Sequence, residues 1–187
     1  MTDHDPLSRA REDEWLVVRC QLGERDAFDA LIERWHDPIW RYVRRITGDD
    51  QAANDLVQDL WLRVLRGIHR LRDGSKLRAW LFGIARHALM DRWRDKYAAG
   101  AVSDVDLTDL PADEVDLGRQ EDLEAMEHEL ARLPVVEREV LTLFYLRELS
   151  LAEVSEVLAV PVGTVKSRLF RARQLLRREL ESKGGHV

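Results

Sequence analysis

Residues 149–173 read Leu149-Ser150-Leu151-Ala152-Glu153-Val154-Ser155-Glu156-Val157-Leu158-Ala159-Val160-Pro161-Val162-Gly163-Thr164-Val165-Lys166-Ser167-Arg168-Leu169-Phe170-Arg171-Ala172-Arg173. Ser150 and Glu153 stand three apart at the head of an apolar run, the spacing of a capping box in which each side chain satisfies a backbone N–H of the other. The pattern predicts a short helix ending near Leu158, a tight turn over Val160-Pro161-Val162-Gly163, and a longer basic helix from Thr164 to about Glu181. That is the layout of a helix-turn-helix, whose second helix enters the major groove and touches base edges with its N-terminal residues. The candidate readers are Thr164, Lys166, Ser167, Arg168, Phe170 and Arg171. Arg and Lys pair with guanine, Ser and Thr are permissive, and an aromatic edge can meet a thymine methyl. Arg173, with Arg177 and Arg178, lies further along and suits phosphate contact. Val165 and Leu169, four apart, are expected to face the core.

Upstream, apolar residues recur at helical spacing. Phe28, Leu31, Ile32, Trp35, Ile39, Val43 and Ile46 mark a helical stretch, and Asp37-Pro38 within it reads as a cap and a first-turn proline, giving two helices or one kinked one. Thr47-Gly48-Asp49-Asp50 is a stop and a fresh start. A helix over about 51–66 carries Leu56, Leu60 and Val64, and a basic loop over 67–75 leads into a long helix from Lys76 to about Lys96. These helices should form one bundle. Residues 98–118 have no sustained period, many Asp residues and Pro111, so they read as a linker. Helical pattern resumes over 121–133 and again from Pro134 to about Arg147. The predicted fold class is therefore all-α, with two small helical domains joined by an acidic flexible linker. The divisions fall at an N-terminal extension over 1–21, a bundle over 22–97, a linker over 98–119, a helix-turn-helix domain over 120–182 and a tail over 183–187.

The net charge of −6 is unexpected for a nucleic-acid binder, but it averages over opposed blocks. Residues 61–97 hold ten bases against three acids, 98–132 hold eleven acids against two bases, and 162–180 hold six bases against one acid. Two basic blocks around an acidic one fit a two-site DNA binder, although solvated helix faces would read the same on charge alone. In the first block bases alternate with aromatics: His69, Arg70, Arg72, Lys76, Arg78, Trp80, Phe82, Arg86, His87 and Trp93. Cations that track phosphates, with rings on which bases stack, suit unpaired strands, and a base drawn from the stack needs a pocket. Trp80 reads more readily as a core side chain. Asp55 and Asp59 share a helical face with Gln58 and Leu62, which by composition alone is a solvated face with acids near a helix N-terminus.

The single cysteine, Cys20, excludes an internal disulfide framework and fits a reducing compartment. The first 13 residues lack the apolar core of a secretory signal, and no stretch is apolar enough to span a membrane, so a cytoplasmic protein is expected. No phosphate-binding glycine loop, HExxH or Cys/His cluster is present, and the six histidines are scattered. No catalytic residue, metal or cofactor is expected.

Leu133-Pro134, Arg138 and Val140, followed by Leu149 to Val154 and by Val162 to Arg173, resemble the last domain of the extracytoplasmic-function sigma factors. Asp55-Leu56-Val57-Gln58-Asp59 and Gly74-Ser75-Lys76-Leu77-Arg78-Ala79-Trp80-Leu81, with Ala85-Arg86, resemble their first domain. The matches run in the family's order from about residue 22 to 180. The resemblance implies a non-enzymatic specificity subunit of bacterial core RNA polymerase that recognises a promoter and starts its melting, held in check by an anti-sigma factor. It implies that Asp55, Gln58, Asp59 and Leu62 meet the largest polymerase subunit. Arg72, Ser75, Lys76, Arg78, Arg86 and His87 would take the melted −10 element. Thr164, Lys166, Ser167, Arg168, Phe170, Arg171 and Arg173 would take the duplex −35 element. His87 stands where the family commonly has asparagine, and Ala159 replaces a frequent helix-ending glycine. The competing reading is a stand-alone helix-turn-helix regulator that binds palindromic duplex as a dimer, which leaves the N-terminal bundle without a role.

Overall fold

A computed structural model of the chain describes residues 6–97 and 130–184, and every regular element among them is helical. The expected linker over 98–119 and most of the expected helix over 121–133 lie outside the described residues. The first half comprises α1 (Pro6–Gln21), α2 (Arg25–Thr47), α3 (Asp50–Gly67) and α4 (Leu77–Tyr97), with two single 3-10 turns, Ile68–Arg70 and Gly74–Lys76, between α3 and α4. The second half comprises α5 (Val135–Leu141), a π-type turn over Thr142–Leu146, α6 (Leu151–Leu158) and α7 (Val162–Gly184).

Helix α2 runs unbroken through Pro38. A proline inside a helix costs about 3 kcal/mol, but Trp35 and Ile39 on either side of it, with Leu31, Tyr42 and Val43, are buried in one stripe whose packing holds the helix together. Gly48 closes α2 in the left-handed conformation at φ 73°, and the Asp49 carboxylate then caps α3 by accepting from the Ala52 N–H at 2.6 Å. In the first half the core centres on Phe82, fully buried, which meets Tyr42 and Trp35 edge-on at centroid distances of 5.3 and 6.4 Å. Sequence reading gave no helix to the N-terminal extension, yet α1 packs on α2 and on the turn at Gly74. Gly74 has a positional reason: a Cβ there would stand 2.9 Å from the Glu14 backbone.

In the second half the core gathers Leu133, Leu143, Leu149, Val154, Val165 and Leu169. The capping box forms as expected, with the Glu153 N–H donating to Ser150 Oγ at 3.2 Å and the Ser150 N–H donating to Glu153 Oε2 at 2.7 Å. Helix α6 ends on Ala159 at φ 52°, the left-handed geometry in which a side chain is strained. The recognition helix begins two residues earlier than expected, at Val162, because the Pro161 carbonyl already accepts from the Thr164 and Val165 N–H groups. It also continues to Gly184, into the stretch expected as a tail.

The two halves pack together, α4 against α6 and α2 against α5. One hydrophobic cluster runs through both halves, and buried polar groups are set into their junction. Glu139 on α5 is 1% exposed and accepts a hydrogen bond from the Tyr42 hydroxyl at 2.8 Å, while Arg86 lies 3.4 Å from the same oxygen. Arg138, 2% exposed, donates to the Arg45 carbonyl at the end of α2 and to Leu133. Burial pushes the Glu139 carboxyl above its ordinary value, against the pull of Arg86 and Tyr42. A buried charge of this kind depends on its donors, since removing one leaves an unsatisfied group costing about 1–3 kcal/mol.

Tyr42→Phe is therefore expected to lower the unfolding free energy in urea by about 1–3 kcal/mol; a change within about 0.5 kcal/mol, the range of an inconsequential surface substitution, would mean that Glu139 does not depend on the hydroxyl. Ala159→Gly should act in the opposite direction. It removes left-handed strain of about 1–2 kcal/mol against a glycine entropy cost of about 0.5–1 kcal/mol. The midpoint of thermal unfolding should rise, and an unchanged or lower midpoint would contradict the strain.

Candidate nucleic-acid interface

Burial of Val165, Leu169 and Ala172 in the core fixes the rotation of α7. With that stripe inward, Lys166, Ser167 and Phe170 point outward, and Phe170 is 59% exposed despite its ring. The other expected readers are placed differently. Thr164 and Arg168 are half-buried on a flank, with the Arg168 charge felt at Glu139. Arg171 is exposed but paired at 3.0 Å with Glu137, whose side chain is 2% exposed, and Arg173 donates to the Tyr145 hydroxyl at 3.2 Å. The expected set thus divides into an outward face and a braced edge.

The second basic surface is built where the turn at Gly74–Lys76 enters α4. Asp73 caps that turn, accepting from the Ser75 N–H at 3.0 Å and from the Ser75 hydroxyl at 2.6 Å, and these bonds hold its carboxyl below the ordinary range. Arg72 and His87 are exposed, and Arg86 is half-buried. A cavity of about 560 Å³ opens beside them, walled by Gly67, Arg70, Lys76, Trp80, Gly83 and His87. Trp80, expected as a core residue, does both tasks: it is partly buried against the core and forms one wall. Gly67 permits this, because a Cβ there would come within 3.2 Å of the Trp80 ring. A cationic rim around an aromatic wall can hold a phosphate and an unstacked base.

Three of the bases on this surface are already occupied. Arg78 donates to both carboxylate oxygens of Glu153, at 3.2 and 3.0 Å, and to the Glu148 carbonyl at 3.0 Å. Lys76 donates to Glu156 at 2.7 Å, and Arg86 faces Glu139. Burial raises the Glu153 carboxyl, but bonds from Arg78 and Ser150 outweigh it and leave the group below its ordinary value. All the acceptors belong to the second half. None was legible as such: Glu153 reads locally as a capping residue, and Glu156 as a solvated position of a short helix.

A third surface lies on α3. Asp55, Gln58 and Leu62 are exposed together, as the helical spacing predicts, and Leu62 is 48% exposed. Asp59 is partly withdrawn, accepting from Arg63 at 2.8 Å, and Arg63 also donates to Asp91 on α4 at 2.8 Å. Leu65, 51% exposed and three residues beyond Leu62, extends the patch and was missed; its signal is an apolar residue out of phase with the Leu56-Leu60-Val64 stripe. Helix α1 adds an exposed row of its own, Trp15 and Val18. Among the described residues no cluster of His, Cys, Asp and Glu is arranged to hold a metal ion, and no helix is long and apolar enough to cross a membrane.

Residues 31–98 match the family model for sigma-70 region 2, and residues 123–176 match that for sigma-70 region 4. The extracytoplasmic-function (ECF) RNA polymerase sigma factor SigW of Bacillus subtilis is 31% identical over 88% of this chain and 94% of its own. The ECF sigma factor SigC of Mycobacterium tuberculosis is 33% identical over 89% of this chain and 90% of its own. Among solved structures, CnrH in complex with the cytosolic domain of CnrY shares the fold at a TM-score of 0.68 and 24% identity, covering 91% of this chain and 98% of that one. The sigma factor RpoE of Bartonella quintana, in complex with the anti-sigma factor NepR, does so at 0.69 and 23%, covering 82% and 96%. With near full-length relatives above 30% identity and both sigma-70 regions in order, the chain belongs to the ECF sigma factors of RNA polymerase.

Proposed function

We propose that this chain is a cytoplasmic, non-enzymatic specificity subunit whose three surfaces divide one task. The α3 face with Asp55, Gln58 and Leu62 exposed and Asp59 partly withdrawn docks on core RNA polymerase. The outward face of α7 reads the −35 duplex through Lys166, Ser167 and Phe170, with Arg168, Arg171 and Arg173 braced beside it and Thr164 at its entry. Arg72, Ser75, Lys76, Arg78, Arg86 and His87 take the melted −10 strand, and the cavity beside Trp80 receives an unstacked base. The division proposed is a core- and −10-binding bundle over 22–97 and a −35-binding domain over 120–182. An anti-sigma factor is the expected regulator, as NepR is bound in the structure of the Bartonella quintana sigma factor RpoE.

The observation that carries this reading is Phe170. A large aromatic left 59% exposed beside Lys166 and Ser167, on a helix presented by a capped turn, has no use in the chain's own core. Against a major groove it offers apolar contact to a thymine methyl, with hydrogen-bonding groups on both sides. A duplex regulator alone would use that face but not the unstacked-base cavity or the α3 patch.

Mixing the protein with core polymerase and genomic DNA fragments should yield new, discrete transcript starts. Asp59→Ala should weaken core binding about tenfold, about 1.4 kcal/mol, without unfolding the bundle, because the exposed Asp59–Arg63 pair contributes little to stability. Absence of new starts, together with unchanged core affinity in the variant, would overturn the proposal. Lys166→Ala should reduce initiation with the loss concentrated at particular bases of the −35 element. A loss equal for all sequences would make Lys166 a phosphate contact.

A further inference from the structure

We propose that Glu137, buried on α5, is a specificity-determining residue for the −35 duplex: it holds the Arg171 guanidinium for a base edge and offsets its attraction to phosphate. This rests on the assignment of α7 to that duplex. Helix α5 packs along α7, and all seven of its residues are buried. Glu137 Oε1 stands 3.0 Å from Arg171 Nε, the acid side chain 2% exposed and the arginine 62%. Among the described residues each is the other's only ion-pair partner. The second carboxylate oxygen, Oε2, is buried without a hydrogen bond. Stability does not call for such an acid. An apolar side chain of similar volume would fill the site at little or no loss, and an unpartnered buried oxygen is itself destabilising. What Glu137 serves is the placement of one exposed cation on the recognition helix.

Two properties of Arg171 follow from the pair. A guanidinium is planar and reads guanine with two parallel donors, so a side chain already held at its Nε edge loses less freedom on meeting a base. Attraction to phosphate, in contrast, depends on net charge near the DNA backbone, and a carboxylate at contact distance offsets much of it. Glu137 thus removes from Arg171 what is common to every sequence and keeps what differs between sequences. Arg173 shows the opposite arrangement on the same helix. Its partner, at 3.2 Å, is the Tyr145 hydroxyl rather than a carboxylate, which steadies the side chain and leaves its charge for phosphate. The two arginines, two residues apart, are equipped for different contacts by the elements behind them.

The test uses holoenzyme, the full chain bound to core polymerase, with a duplex library randomised across the −35 element. Bound molecules are sequenced for base preference at each position, and affinity for one fixed duplex is followed against salt concentration. Glu137→Gln removes the charge and keeps the shape. Glu137→Met, also of similar volume, is made alongside it in case the buried amide unfolds the site, and thermal unfolding checks the fold of each. Base preference is expected to fall about tenfold at one position only. Affinity for duplexes without the preferred base should rise, with a salt dependence steeper by about one phosphate contact. Arg171→Ala should lose the same preference at the same position, and adding Glu137→Gln to it should change the preference no further. A purely structural role predicts equal loss of affinity for every sequence with preferences intact, and that result would overturn the inference. So would a preference lost in Arg171→Ala but kept in both Glu137 variants; either result leaves α7 as the reader of the duplex. Absence of any −35 preference in the wild-type holoenzyme would instead remove the α7 assignment, and the inference with it.

Discussion

Glu139 is held between a tyrosine hydroxyl from α2 and a guanidinium from α4, on a helix whose neighbouring residue Glu137 braces Arg171 of the recognition helix. This one short segment, Glu137-Arg138-Glu139, touches both halves and is almost wholly buried. Its charges could have been replaced by apolar side chains at little or no loss of stability, since buried ion pairs seldom outdo well-packed hydrophobes. The charged groups instead fix the register of one half on the other, because each needs its named partner.

The same economy recurs at α6. Glu153 completes a capping box and accepts Arg78, so the residue that starts the helix-turn-helix also ties it to the other basic surface. Folding of the second half presents an acidic edge to the first, and that edge finds the most positive part of the chain. Local stability and long-range electrostatics thus share a carboxylate. The outward face of α7 takes no part, because burial of Val165, Leu169 and Ala172 rotates Lys166, Ser167 and Phe170 to the opposite side.

Much of this was legible in order of residues. Helical period, caps and turn residues predicted α2, α3, α4, α6 and α7 to within a few residues, because burial of one stripe and satisfaction of terminal N–H groups are local demands. Where prediction and structure part, tertiary packing is the cause. Between the two readings that Pro38 left open, packing selects the single helix, since the stripe around it is worth more than the lost bond. Helix α1 has a charged sequence of balanced sign with little helical signal, and it forms against a turn that only Gly74 leaves open.

The sequence by itself determined the all-helical class, the helix-turn-helix, the exposed face of α3 and the basic character of α4, each a property of residues a few positions apart. The tertiary structure alone decided which of those bases are available. Arg78 and Glu153 are 75 residues apart, and Lys76 and Glu156 are 80. No local period couples positions so distant; only the packing of one half on the other brings their charges within hydrogen-bonding reach.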